Sequence, residues 1–222
     1  MIIYKRQFKP TWMTSVITIA ALVLFLSLGQ WQLQRADYKH DIKQKYESRL
    51  EAEYRYFRPR DSLSDIEYRR LILQGKYDAS RSMLVDNRVL ESRAGYQVLT
   101  PFRLAGSDKV VLVDRGWVAL GESREILPRI APVRIDDEIR GIASIPRTEG
   151  FRLGQISLRD DWPQVIPYID IEAMQSKFSN QLLPMVLWLA PELPGQYPRH
   201  WQPLWADPEK SRAYAWQWFA FA

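Results

Sequence analysis

Hydrophobic positions change rhythm three times along this chain. From Trp12 to Leu28 they form an uncharged run of 17 residues without proline. Its polar members, Thr14, Ser15, Thr18 and Ser27, are types that a helix satisfies by bonding them to carbonyls one turn back. Carried on to Trp31, such a helix is about 30 Å long, the thickness of a bilayer's hydrocarbon core. A helix is the open-chain structure that satisfies its own backbone there. Trp12 and Trp31 stand at its two ends, where interfacial aromatics belong. The pattern predicts a transmembrane helix over residues 12–31. Beyond it, Tyr38, Ile42, Tyr46 and Leu50 recur every four residues among Lys and Arg. The helix is therefore expected to run on as a stalk over residues 32–50.

The second rhythm has period two. Tyr68–Gly75 alternates, with Leu71 and Leu73 on one face. Met83–Val89 surrounds the turn-type pair Asp86-Asn87, and Gly95–Leu104 places Tyr96, Val98, Thr100 and Phe102 on one side. Ala105–Asp108 reads as a hairpin turn, and Lys109–Val113 returns as a strand. Within it, Val110–Val113 has no polar alternation, as in a central strand. Asp137–Ser144 and the apolar Pro184–Ala190 are further strands. Asp170 is a candidate N-cap for a short helix over Ile171–Phe178, and Arg147–Pro163 reads as a loop. Strands at short spacing with few helices predict an antiparallel sheet or open barrel over residues 51–208.

The third rhythm closes the chain. Asp207-Pro208 has the form of an N-cap followed by proline at the first helical position. Tyr214–Ala222 is then apolar apart from Gln217. Residues 209–222 are expected to begin a second membrane helix that continues in a longer polypeptide. Residues 1–11 form a tail containing Lys5, Arg6 and Lys9 and no acid, whereas basic and acidic residues mix after the first span. The positive-inside rule places the tail in the cytoplasm and the β domain outside. No small-x-small site follows the apolar core, so the anchor is read as uncleaved. The expected architecture is a membrane-anchored α+β chain. Its extracytoplasmic β domain lies between a transmembrane helix and the start of a second one.

Composition narrows the chemistry. The formal charge of +5 is spread out, with no basic run interleaved with aromatics, so nucleic acid is not expected as a partner. The absence of cysteine removes thiolate nucleophiles, Cys metal sites and covalent haem attachment. There are two histidines, His40 and His200, and His40 lies among charges on the stalk. Asp136-Asp137 and Asp160-Asp161 are adjacent carboxylates, which point apart and do not make a catalytic pair. No hydrolase, phosphate-loop or dinucleotide motif is present, and no enzymatic activity is expected.

Three stretches together carry a resemblance. They are Gly29-Gln30-Trp31-Gln32-Leu33-Gln34-Arg35 at the end of the first span, Tyr68–Asp78 continuing through Gly95–Phe102 to Val111–Val118, and Tyr214-Ala215-Trp216-Gln217-Trp218-Phe219. Their order and content resemble the Surfeit locus protein 1 family of cytochrome c oxidase assembly factors. The matching positions include Gly29, Trp31, Arg35, Tyr68, Arg69, Gly75, Arg115, Gly116, Tyr214, Gln217 and Trp218. The resemblance implies two transmembrane helices in the bacterial inner membrane flanking a periplasmic domain. It also implies a role in maturing the catalytic subunit of a haem–copper oxidase, by handling haem a. That subunit and haem a synthase are the implied partners.

The resemblance also sets out candidate roles. Haem a-binding bacterial relatives carry His three residues before the closing Tyr; this chain has Ser211 there, and serine is a poor ligand to haem iron. His200, eleven residues before that position, is the alternative ligand; otherwise the client's own residues hold the haem. Trp31, Trp216 and Trp218 have two readings, lining a slot for a macrocycle or anchoring at the membrane interface. Arg35, one turn past Trp31, suits a haem propionate or a lipid phosphate, and Tyr214 has a similar place on the second helix. Tyr68, Arg69 and Asp114-Arg115-Gly116 read as structural, the last as a tight turn with an internal ion pair. The competing function is a membrane-anchored scaffold for the oxidase that does not bind haem.

Overall fold

The computed structural model describes residues 10–121, 123–133, 137–146, 156, 158–193, 197–199 and 207–222. Two compact units emerge, one from residues 1–47 and 203–222, the other from residues 48–202.

The first unit is helical. Helix α1, Trp12–Leu50, is continuous over 39 residues, so span and stalk are one rod. The hydroxyls of its apolar part bond back as expected: Thr18 Oγ1 to Thr14 O at 2.9 Å and Ser27 Oγ to Val23 O at 2.7 Å. It is the helix, among the described residues, long and apolar enough to cross a membrane. Helix α3, Pro208–Phe221, starts at Asp207, whose Oδ1 accepts from the Glu209 N–H at 3.0 Å. Of the expected stalk stripe, Ile42, Tyr46 and Leu50 are half-buried. Tyr38 is the exposed member, and the most deeply covered positions of α1 are Gly29, Ala36 and Lys39.

The second unit is built on strands β1 (Arg55–Tyr56), β2 (Arg70–Tyr77), β3 (Met83–Leu90), β4 (Arg93–Leu104), β5 (Val110–Ala119), β6 (Glu138–Ser144), β7 (Gln164–Ile166) and β8 (Leu182–Leu189). Helix α2, Ile171–Met174, passes into a 3₁₀ turn over Gln175–Phe178, and Asp170 Oδ1 caps it by accepting from Ala173 N at 3.1 Å. The strand order is β1-β2-β6-β8-β5-β4-β3-β7, and β2 also pairs with β4. That extra pairing makes a five-stranded barrel of β2, β4, β5, β8 and β6, in the connectivity of the OB class of Greek-key barrels.

Two corrections to the expected sheet follow. The barrel is closed, not open, because Gly75, Lys76 and Tyr77 pair with Leu104, Arg103 and Phe102. The sheet is mixed, since β5–β8, β1–β2 and β3–β7 are parallel. Parallel partners far apart in sequence leave no local hairpin signal.

The barrel interior gathers Leu71, Leu73, Phe102, Leu104, Val111, Val113, Ala143, Met185 and Leu187. Val110 and Leu112 face outward into a second core under α2 and β7, with Met83, Val85, Met174 and Phe178. Strand β5 is thus buried on both faces, which explains its unbroken apolar run. Of the three turn-type stretches expected in this region, Ala105–Asp108 is the hairpin turn between β4 and β5, and the other two are bulges inside strands. Asp86 and Asn87 together oppose the single residue Tyr96 between the Val85 and Arg88 pairings, with Asn87 at φ 56°, and the hairpin turn lies at Glu91-Ser92. Arg115 and Gly116 together oppose the single residue Val98 between the Asp114 and Trp117 pairings.

Candidate functional site

The motif residues divide between the two units. In the helical unit, α1 and α3 run antiparallel along a seam of small and aromatic residues. Phe25 stacks on Trp218 with centroids 5.8 Å apart and planes 23° from parallel. Four residues on, a Cβ at Gly29 would overlap the Phe219 ring, so only glycine admits this approach. Ala36 and Ala215 are fully buried. At the far end of the described seam, Lys39 Nζ donates to Ser211 Oγ at 2.7 Å. Both residues are buried, with Lys39 8% exposed.

Beside the seam, Arg35 places its guanidinium 5.3 Å from the centre of the Trp31 ring. Trp31 remains half exposed, and Arg35 is exposed. Tyr214 and Trp216 are exposed on α3, as is Gln217. The structure therefore brings Trp31 to Arg35, and Trp218 to Phe25. Trp216 lies edge-on to Phe219, with ring centroids 6.1 Å apart. His200 lies outside the described residues, and His40 is exposed on α1.

The barrel holds the remaining matched positions. Tyr68 is buried at φ 64°; its N–H donates to Ala143 O at 2.7 Å and its ring lies 6.4 Å from Trp188. Arg69 donates from Nε to Asp65 O at 2.8 Å and from a terminal nitrogen to Asp65 Oδ2 at 2.5 Å. Asp65 also pairs with Arg49 in the last turn of α1. These two guanidinium groups, Arg49 first, hold the Asp65 carboxyl down at about 2. A Cβ at Gly75 would overlap the Arg103 carbonyl where β2 meets β4, so barrel closure needs glycine there.

Asp114 and Arg115 do not form the expected ion pair, because neighbouring strand residues point apart. Asp114 Oδ1 accepts from Gln97 Nε2 at 2.8 Å and Gly116 N at 3.1 Å. Burial pushes its carboxyl well above the usual range. Arg115 donates to Ala131 O at 2.9 Å and lies over the Tyr197 ring, whose hydroxyl accepts from Ala131 N. Trp117 N–H in turn donates to Pro198 O at 3.0 Å. The bulge at Arg115-Gly116 thus docks residues 197–199 on the barrel.

Asp160 pairs with Lys177 at 2.5 Å and Asp161 with Arg159 at 3.1 Å, while Asp136 lies outside the described residues. Among the described residues, no group of three or more His, Cys, Asp or Glu gathers where it could hold a metal ion. Along α1 stand a half-exposed indole, a guanidinium over it and a buried ammonium. Ser211, engaged by Lys39, puts no imidazole or thioether there to bind iron. Sequence reasoning missed Lys39. Its signal was its place two turns past Trp31 and one past Arg35 on one helix face.

These features define a class of protein: a closed five-stranded barrel joined in the chain to a long apolar helix, with a second helix packed on that helix through glycine. The chain belongs to the SURF1 family, whose model matches residues 19–222. Relatives include a SURF1-like protein of Monosiga brevicollis, 34% identical over 108 residues, covering 43% of this chain and 41% of that one. The cytochrome oxidase assembly protein SHY1 of Saccharomyces cerevisiae is 31% identical over 107 residues, 46% of this chain and 27% of that one. The Surfeit locus protein 1 of Xenopus tropicalis is 24% identical over 180 residues, 73% and 56% of the two chains. The chain thus spans less than half the length of the first two of these relatives.

Proposed function

We propose that this chain is a non-enzymatic assembly factor for a haem–copper oxidase, which helps haem a enter the catalytic subunit. The observation that carries the reading is the family match across both helices and the barrel, together with a relative named for cytochrome oxidase assembly. A helix, α1, long and apolar enough to cross a membrane supports it. In this reading α3 begins a second span, and the tail with Lys5, Arg6 and Lys9 lies in the cytoplasm. The barrel lies in the periplasm, on the side of the inner membrane opposite that tail.

The residues of α1 would act on the edge of the macrocycle. Trp31 supplies a flat apolar face, and Arg35 a guanidinium for a propionate. Haem a, when bound, brings its own iron chemistry; this chain's part is to orient and shield it. The iron ligand is left to His200 or to residues of the client. Haem a synthase is the natural donor and the oxidase catalytic subunit the recipient.

A second reading, a scaffold that holds the subunit and never touches haem, is favoured by Ser211 standing where an iron ligand is expected. The two separate in cells lacking the chain. Purified catalytic subunit that lacks haem a supports the haem role. Subunit that is haem-loaded but unassembled supports the scaffold and removes the haem role.

A further inference from the structure

Lys39 is a charged side chain with most of its surface covered, and its hydrogen-bond partner among the described residues is a neutral hydroxyl. An ammonium has three donors, and taking it out of water is costly unless it meets compensating charge. The nearby acids are otherwise engaged or aimed elsewhere. Glu209 pairs with Arg212 at 2.8 Å, and Glu47 with Lys43 at 3.8 Å. Asp207 Oδ1 caps α3. Asp37 and Asp41 stand two residues either side of Lys39, so on a helix they face away from it. Arg35, one turn back on the same face, adds a second cation, stacked on Trp31.

From this geometry we infer that Lys39, with Arg35 one turn below, is a subsite for an anionic oxygen of an amphiphile whose apolar body lies against Trp31. Ser211 parks the ammonium between encounters: its hydroxyl holds Nζ at 2.7 Å, and the four-carbon stem lets Nζ swing to a better acceptor. The anion is a carboxylate or a phosphate, which two sources can supply, a porphyrin propionate or an anionic lipid headgroup. Only the choice of a porphyrin as one probe rests on the haem-handling reading above.

The test uses the full chain in nanodiscs. Haemin, with two free propionates, is compared with its dimethyl ester, in discs of phosphatidylcholine with and without phosphatidylglycerol. Binding is read by tryptophan quenching and by the Soret band. The wild type is expected to prefer the diacid by about tenfold or more, the worth of a charge-assisted hydrogen bond. Lys39→Met loses that preference and Lys39→Arg keeps it. Ser211→Ala, which leaves the cation and removes only its resting partner, also keeps it.

If phosphatidylglycerol displaces the diacid from the wild type but not from Lys39→Met, the anion is a headgroup. If it does not, the anion is the porphyrin carboxylate. Failure of the wild type to bind either porphyrin, with Lys39-dependent retention of phosphatidylglycerol, overturns the haem reading and keeps this subsite. Equal behaviour of wild type and Lys39→Met towards both anions overturns the subsite. So does loss of the preference in Ser211→Ala and Lys39→Met alike, since that marks the pair as packing.

Discussion

Two aspartates in the barrel unit show how opposite surroundings give opposite pH behaviour. Asp65 lies between Arg49 and Arg69 and titrates at about 2, against an ordinary 3.8. A depressed carboxyl stabilises the fold fully above its ordinary value, and that contribution is lost as pH falls through the folded value. Asp65→Asn is therefore expected to be less stable than the wild type at pH 7, with the difference shrinking between about pH 4 and about 2. Its side chain is more than half exposed, so the gap is small and salt-sensitive. Urea melts across pH check this; a gap that widens on acidification contradicts it. Asp114 is the reverse. Its carboxyl is raised, so the folded state holds the proton more tightly, and stability falls as pH rises from about 4 through the raised value. Asp114→Asn keeps an oxygen for Gln97 and Gly116 and has no charge to bury. Its melting temperature is expected to match or exceed the wild type's at neutral pH and to lose that slope. A wild type that gains on Asp114→Asn as pH rises contradicts the assignment.

Elements depend on single close approaches. Gly29 lets α3 pack on α1, and replacing it with leucine forces Phe219 away. Because the chain has no cysteine, Lys39→Cys with Ser211→Cys gives a unique thiol pair for a short bismaleimide crosslinker. Crosslinking is expected in the Gly29 background and to be largely lost with Gly29→Leu; equal yields would place the helix contact elsewhere. Gly75→Val drives a side chain into the Arg103 carbonyl at the barrel closure, with an expected loss of about 4 kcal/mol or more by chemical denaturation. A loss below about 1 kcal/mol would mean that β2 and β4 need not close. The helices and the long strands were legible because local patterns fix them: back-bonding hydroxyls in α1, the Asp170 and Asp207 caps, and the apolar run of β5. Barrel closure was not, since it depends on a three-residue pairing between distant segments. Asp86-Asn87 and Arg115-Gly116 read as turns because a bulge calls for the same backbone freedom as a turn. Lys39 was hidden for a similar reason. A lysine among stalk charges looks solvated until the second helix covers it.

At the scale of the molecule, membership of the SURF1 family goes with a helix long and apolar enough to cross a membrane and a closed five-stranded barrel. The most direct test of oxidase assembly is the content of haem a-containing oxidase in membranes of cells from which the chain has been deleted. It is measured by the reduced-minus-oxidised haem a signal and by blue-native electrophoresis. The account predicts a several-fold loss of assembled oxidase, restored by the full-length wild type and not by Gly29→Leu. Oxidase content and haem a signal unchanged by the deletion would contradict it.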